Sequence, residues 1–95
     1  MKAPCVYILS NSHRTVLYVG VTSDLEKRVK EHKAGEGSAF ASKYNLTFLL
    51  YYEEYEAMQQ AIAREKVLKA WKRDWKWNLI KESNPSLKDL AENWF

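Results

Sequence analysis

Two short β-rich runs separated by a small polar loop, followed at once by an amphipathic segment, leave this chain few folds. "CVYIL" (Cys5–Leu9) and "VLYVGV" (Val16–Val21) flank the polar "NSHRT" (Asn11–Thr15). Two strands at that spacing predict an antiparallel hairpin. "TSDLEKRVKEH" then carries apolar residues at helical spacing, and Ser23 with Glu26 stands in the register of a capping box. Gly35 and Gly37 in "KAGEG" should end that helix. Gly20, inside the second run, signals a bulge or a close backbone approach.

Further along, "SAFASKYN" reads as a loop or irregular turn, and "LTFLLYYEEY" (Leu46–Tyr55) as a third strand. A second helix is expected over 56–71, with Met58, Ala61, Ile62, Glu65 and Leu68 on its apolar stripe. "RDWKWNLIKES" predicts another helix, stopped by Pro85, and "SLKDLAENWF" a last short one. The order β-β-α-β-α-α implies an α+β fold, a small antiparallel sheet with helices packed on it. A chain of 95 residues, 46% hydrophobic, suits one domain spanning 1–95 with one compact core. The single cysteine, Cys5, allows no internal disulfide, and no zinc-ligand spacing is present. The N-terminal apolar run is too short for a signal peptide and no segment nears membrane-spanning length, so a soluble cytoplasmic protein with no membrane partner is expected.

The net charge of +3 is modest but unevenly spread. Arg64, Lys66, Lys69, Lys72, Arg73, Lys76 and Lys81 fall within one stretch, opposed only by Glu65 and Asp74 and interleaved with Trp71, Trp75 and Trp77. That combination suits a phosphate backbone; it equally suits a solvated helix face with its tryptophans turned inward.

Three ionisable residues stand where hydrocarbon belongs. Arg28 and His32, one helical turn apart, share the first helix's stripe with Leu25 and Val29, and Glu65 interrupts the second. A buried charge needs a partner, water or a ligand. An internal Arg28–Glu65 salt bridge would meet that need without any function. An open cleft would instead bring together an arginine for phosphate oxygens, an imidazole and a carboxylate able to hold Mg²⁺.

With these residues in place the chain resembles the GIY-YIG nuclease superfamily. Cys5-Val6-Tyr7 and Tyr18-Val19-Gly20 stand for its paired tripeptides, "RVKEH" for its Arg-x-x-x-His, and "AIAREKVLKAWKR" for its metal-carboxylate helix. "SNPSLKDL" is similar to the tail of the small single-domain bacterial members, and the whole looks like the nuclease domain that opens the excinuclease chain. Cys5 replaces a glycine, and Val6 and Val19 replace isoleucines.

The resemblance implies a three-stranded antiparallel sheet flanked by helices and a metal-dependent endonuclease acting on DNA. It leaves RNA open as a substrate. Tyr18 would help deprotonate the attacking water, a task for which a phenol needs electrostatic help near neutral pH. Tyr7 would hydrogen-bond to water or the scissile phosphate, and Arg28 would hold its non-bridging oxygens. His32 would contact phosphate or share proton transfer, while Glu65 would bind one Mg²⁺ or Mn²⁺. Gly20 would let the backbone pass close to substrate, Lys43 would add a loop contact, and Lys66, Lys69, Lys72 and Arg73 would hold the backbone. A late asparagine completes many such sites, and both Asn78 and Asn84 are candidates. A chain this short has no room for a site-selecting domain, so little sequence preference is expected unless a protein partner or homodimer supplies it, with repair or recombination as compatible pathways. The alternative is a nucleic-acid-binding module with weak or lost catalysis.

Overall fold

The computed structural model describes residues 2–95. Strands β1 (Cys5–Ser10), β2 (Leu17–Thr22) and β3 (Phe48–Glu54) form one antiparallel sheet in the order β2-β1-β3. Helices α1 (Leu25–Lys33) and α2 (Ala39–Lys43) lie between β2 and β3, and α3 (Met58–Ala70) and α4 (Arg73–Ser83) follow. The expected β-β-α-β-α-α order is therefore present, with α2 inserted between α1 and β3.

Because β1 is central and covered on both faces, all six of its residues are buried and no hydrophobic alternation is visible along it. Cys5, Tyr7 and Leu9 point one way, into a core with Leu25 and Val29 of α1 and Ala41 of α2. Val6 and Ile8 point the other way, against Ala61 and Leu68 of α3 and Ile80 of α4. In β3 a bulge at Leu50, between the Leu9–Leu49 and Ile8–Tyr51 pairs, interrupts the alternation, so that Leu49 faces the first core and both Leu50 and Tyr51 the second. Cys5 fills apolar space in the first core, its thiol donating to the Ala3 carbonyl at 3.3 Å.

Local chemistry sets the element ends. The cap of α1 is Asp24, one residue beyond the expected Ser23, and its carboxylate accepts from the Lys27 amide at 3.2 Å. Asp24 wins because the chain leaves β2 through a Thr22 turn, where the threonine hydroxyl accepts from the Asp24 N–H. Gly35, at φ 79°, ends α1 as expected. "SAFASKYN" is not a loop: Ser38 accepts from the Ala41 amide and starts α2, five residues that hydropathy periodicity is too coarse to detect. The last expected helix does not form. Asp89 instead accepts from the Leu49 and Ala91 amides, and the Leu90 N–H donates to the Leu49 carbonyl, spending those groups on β3.

The tryptophans divide. Trp71 and Trp77 pack against the second core and Trp94 against the first, whereas Trp75 stands exposed on α4. Ile62, expected on the buried stripe of α3, is also exposed. No helix among the described residues is long and apolar enough to cross a membrane.

Candidate active site

The register of the hairpin builds the site. Tyr7 lies directly opposite Gly20, and Leu9 opposite Tyr18, so the two tyrosines are diagonal neighbours on one face of the sheet. Their ring centroids are 6.3 Å apart. Gly20 supplies the slot into which Tyr7 leans: a Cβ there would sit 2.4 Å from Cζ and Oη of the ring. The glycine thus makes room for the neighbouring tyrosine, a close approach of the kind that a glycine inside a strand signals.

From α1, Leu25, Val29 and His32 form the buried stripe. The His32 ring lies 5.6 Å from Tyr7 and 5.7 Å from Tyr18, and its Nε2 is 2.9 Å from the Tyr7 hydroxyl. Gly37 closes over the other side, where a Cβ would come within 2.2 Å of Nδ1. The sequence pattern showed Gly37 only as a helix breaker; its contact with His32 needs the folded loop.

Burial, reinforced by the nearby Arg28 guanidinium and opposed by Glu31, pushes His32 down to about 4, so the imidazole is neutral near pH 7. Its Nδ1 is buried with no hydrogen-bond partner among the described residues. A stranded N–H is costlier than a stranded lone pair, which places the ring proton on Nε2. His32 then donates to the Tyr7 oxygen, and the Tyr7 O–H remains free to donate elsewhere. Burial and the neighbouring Tyr18 raise the Tyr7 hydroxyl well above its ordinary range, so it stays a phenol and a donor.

Arg28 stands at the edge of this cluster. Its Nη1 donates to the Gly37 carbonyl at 3.2 Å and lies 3.6 Å from Glu31. It also lines a polar groove of about 430 Å³ with Thr22, Ser23, Asp24, Lys27 and Glu31. The larger surface depression, of about 720 Å³ by Trp94 and Phe95, contains none of the expected site residues. Glu65 approaches from α3, near enough that it and Arg28 bias Tyr7 in opposite directions. The two do not pair with each other: among the described residues Glu65 meets Lys69 at 3.2 Å, and Arg28 meets Glu31. The internal salt bridge that would have made these charges purely structural is absent among the described residues.

Glu65 has a side chain only 16% exposed, and Lys69, at 53%, is free to swing away from it. No group of three or more His, Cys, Asp or Glu among the described residues could cage a metal. A single carboxylate does not fit zinc or calcium; it fits Mg²⁺ or Mn²⁺ held largely by water and substrate phosphate.

The remaining expected residues scatter. Lys66, Lys69 and Lys72 are exposed along α3 and the α3–α4 corner, while Arg73 donates to the Thr15 carbonyl of the hairpin loop. Lys43 stands on α2, its Nζ 5.4 Å from the Tyr44 ring centre. Asn84 is buried and its amide is committed: Nδ2 donates to the Leu50 and Lys88 carbonyls at 3.0 and 2.9 Å, and Oδ1 accepts from the Lys88 N–H. It is a latch between the end of α4 and β3. Asn78 is exposed on α4.

The family model described as the GIY-YIG catalytic domain matches residues 3–78. This chain belongs to the GIY-YIG family. The match includes both tyrosines, Arg28, His32, Glu65 and Asn78, and stops short of Asn84. Among its relatives, a UPF0213 protein of Haloquadratum walsbyi is 36% identical over 77 residues, covering 81% of this chain and 85% of that one. A UPF0213 protein of Staphylococcus aureus is 35% identical over 82 residues, covering 86% and 99%. No solved structure matches the chain. The GIY-YIG fold is a nuclease fold, and within it this chain brings Tyr7, Tyr18 and His32 together on one face of the sheet, with Arg28 at the edge of the cluster.

Proposed function

We propose that this protein is a divalent-metal-dependent endonuclease that hydrolyses phosphodiester bonds in DNA with little sequence preference. The observation that carries the reading is that Tyr7, Tyr18 and His32 meet in one cluster with Arg28 at its edge, while Arg28 and Glu65 are not spent on each other, their ion-pair partners being Glu31 and the exposed Lys69. Tyr18, beside neutral His32, would first release its own hydroxyl proton to solvent, with Arg28 and a cation on Glu65 giving the electrostatic help, and as a phenolate would take the proton of the attacking water. Tyr7, kept a phenol and oriented by His32, donates its hydroxyl proton to a phosphate oxygen or to that water. Arg28 holds the non-bridging oxygens and offsets the charge added in the transition state. Glu65 holds Mg²⁺ or Mn²⁺, which supplies Lewis-acid stabilisation when bound. Lys66, Lys69, Lys72 and the α2 residue Lys43 contact the backbone, so affinity falls with rising salt. Of the two asparagines, Asn78 is the one whose amide is available to a site. Roles in repair or recombination in the cytoplasm are compatible with such chemistry.

The test is cleavage of a panel of duplex, single-stranded, flapped and branched DNA, and of RNA, by wild type and Glu65→Ala, with Mg²⁺, Mn²⁺ or EDTA. Cutting by wild type that needs metal and is lost in Glu65→Ala supports the proposal. Binding that is equal with and without Glu65, and no cutting of any substrate, refutes it in favour of a binding module.

A further inference from the structure

Helix α2 carries two large aromatic side chains turned to solvent. Phe40 is 47% exposed and Tyr44, its C-cap, 42%, although the same short helix buries Ala41 in the core. The two rings lie 4.9 Å apart. Phe40 also stacks on Tyr18, with centroids 6.1 Å apart and planes within 25°. A continuous aromatic surface therefore runs from the site tyrosine outward over Phe40 to Tyr44, and Lys43 lies beside its end.

Resting on the nuclease reading above, we propose that Phe40 and Tyr44 form a stacking platform for an unpaired nucleobase next to the scissile phosphate. The preferred substrates are then single-stranded or flapped nucleic acids rather than continuous duplex. Continuity with Tyr18 fixes the position: whatever lies on Phe40 is adjacent to the site. Charge fixes the class, because Lys43 at the platform and Arg28 within the site both match a phosphate-linked ligand. The π-face of a base is available only when it is unstacked, so a flat aromatic surface beside the reacting phosphate discriminates strand from duplex without reading sequence.

The experiment separates this inference from the catalytic one by using binding. In the Glu65→Ala background, a single-stranded oligonucleotide carrying 2-aminopurine reports stacking by fluorescence quenching, and anisotropy gives affinity for single-stranded and duplex probes. Phe40→Ala and Tyr44→Ala should each weaken single-strand binding by about 10-fold and relieve the quenching, with duplex affinity changed less than about 2-fold. Phe40→Trp should retain binding and Phe40→Leu should not. Tyr44→Ala guards against disturbance of Tyr18, which Tyr44 does not stack on, and thermal melts confirm folding. Equal losses for duplex and single strand, or retention by Phe40→Leu, overturn the platform. Absence of cleavage by the protein with Glu65 intact, in Mg²⁺ or Mn²⁺, alongside this binding pattern would sink the catalytic proposal and leave the platform standing.

Discussion

Replacing Gly20 by alanine tests the geometry of the site through the sign of a stability change. Gly20 does not adopt a left-handed backbone, so alanine is conformationally allowed. On backbone grounds alone the substitution should stabilise by about 0.4–1 kcal/mol, by restricting the unfolded chain. The Tyr7 ring reverses that expectation. Its Cζ and Oη would lie 2.4 Å from the new methyl. Ordinary carbon contacts are about 3.5–4.0 Å, so the ring must retreat by at least about 1 Å. It has nowhere to go without losing His32, because Tyr7 is buried between Tyr18 and His32 and hydrogen-bonded to Nε2 at 2.9 Å. Overpacking costs about 1–3 kcal/mol. Stranding the remaining imidazole nitrogen adds about 1–3 kcal/mol. Urea unfolding should therefore show a net loss of about 1–5.6 kcal/mol once the backbone gain is subtracted. The loss should shrink by about 1 kcal/mol or more in a Tyr7→Leu background, where the ring is gone. A Gly20→Ala protein that is more stable than wild type, with the His32 ring resonances unmoved, would refute the packing reasoning.

Other perturbations separate structure from chemistry. Burial lowers the pKa of His32 from 6.5 to about 4 on folding, so its neutral form contributes fully to stability above about pH 6.5 and that contribution falls as the pH drops toward 4. The loss should approach about 3 kcal/mol, and urea midpoints of His32→Gln should lack this slope. Asn84→Ala should cost about 2–3 kcal/mol by unlatching α4 from β3 while leaving the folded protein's nuclease rate unchanged; Asn78→Ala should do the reverse. On the α3 face, burial works to raise the Glu53 carboxyl, but hydrogen bonds from Arg64, Tyr51 and Tyr55 outweigh it and hold it below its ordinary range. Glu53→Gln should lose about 1–2 kcal/mol at pH 7. That difference should disappear as the pH falls from the unfolded carboxylate value through the lower folded one, because protonation removes the same contribution from the wild type.

Several features were legible along the chain because they rest on local rules. β-rich apolar runs bounded by polar turns located the three strands, and helical spacing with its start and stop signals located α1, α3 and α4, within a few residues; a guanidinium, an imidazole and a carboxylate on apolar stripes marked Arg28, His32 and Glu65 as needing an explanation. Short-range hydrogen bonding was harder to see. The Asp24 cap and the Ser38-started α2 depend on which of several adjacent polar side chains reaches a backbone N–H, and composition does not distinguish them.

The amino-acid sequence by itself determined the order of elements and the residue types available to the site, since both follow from spacing along one chain. Tertiary structure decided what each group meets. Whether Arg28 meets Glu65 or Glu31, which side chain leans into the slot at Gly20, and whether the Asn84 amide is free or latches β3 all depend on how the folded backbone brings side chains together. The aromatic surface over Tyr18, Phe40 and Tyr44 is of the same kind, a juxtaposition of β2 with α2 that no pattern within either segment contains. Hydrogen bonds and ring contacts act over a few ångströms of space, whereas hydropathy patterning acts through neighbours in the chain, and only the folded backbone brings the first into register.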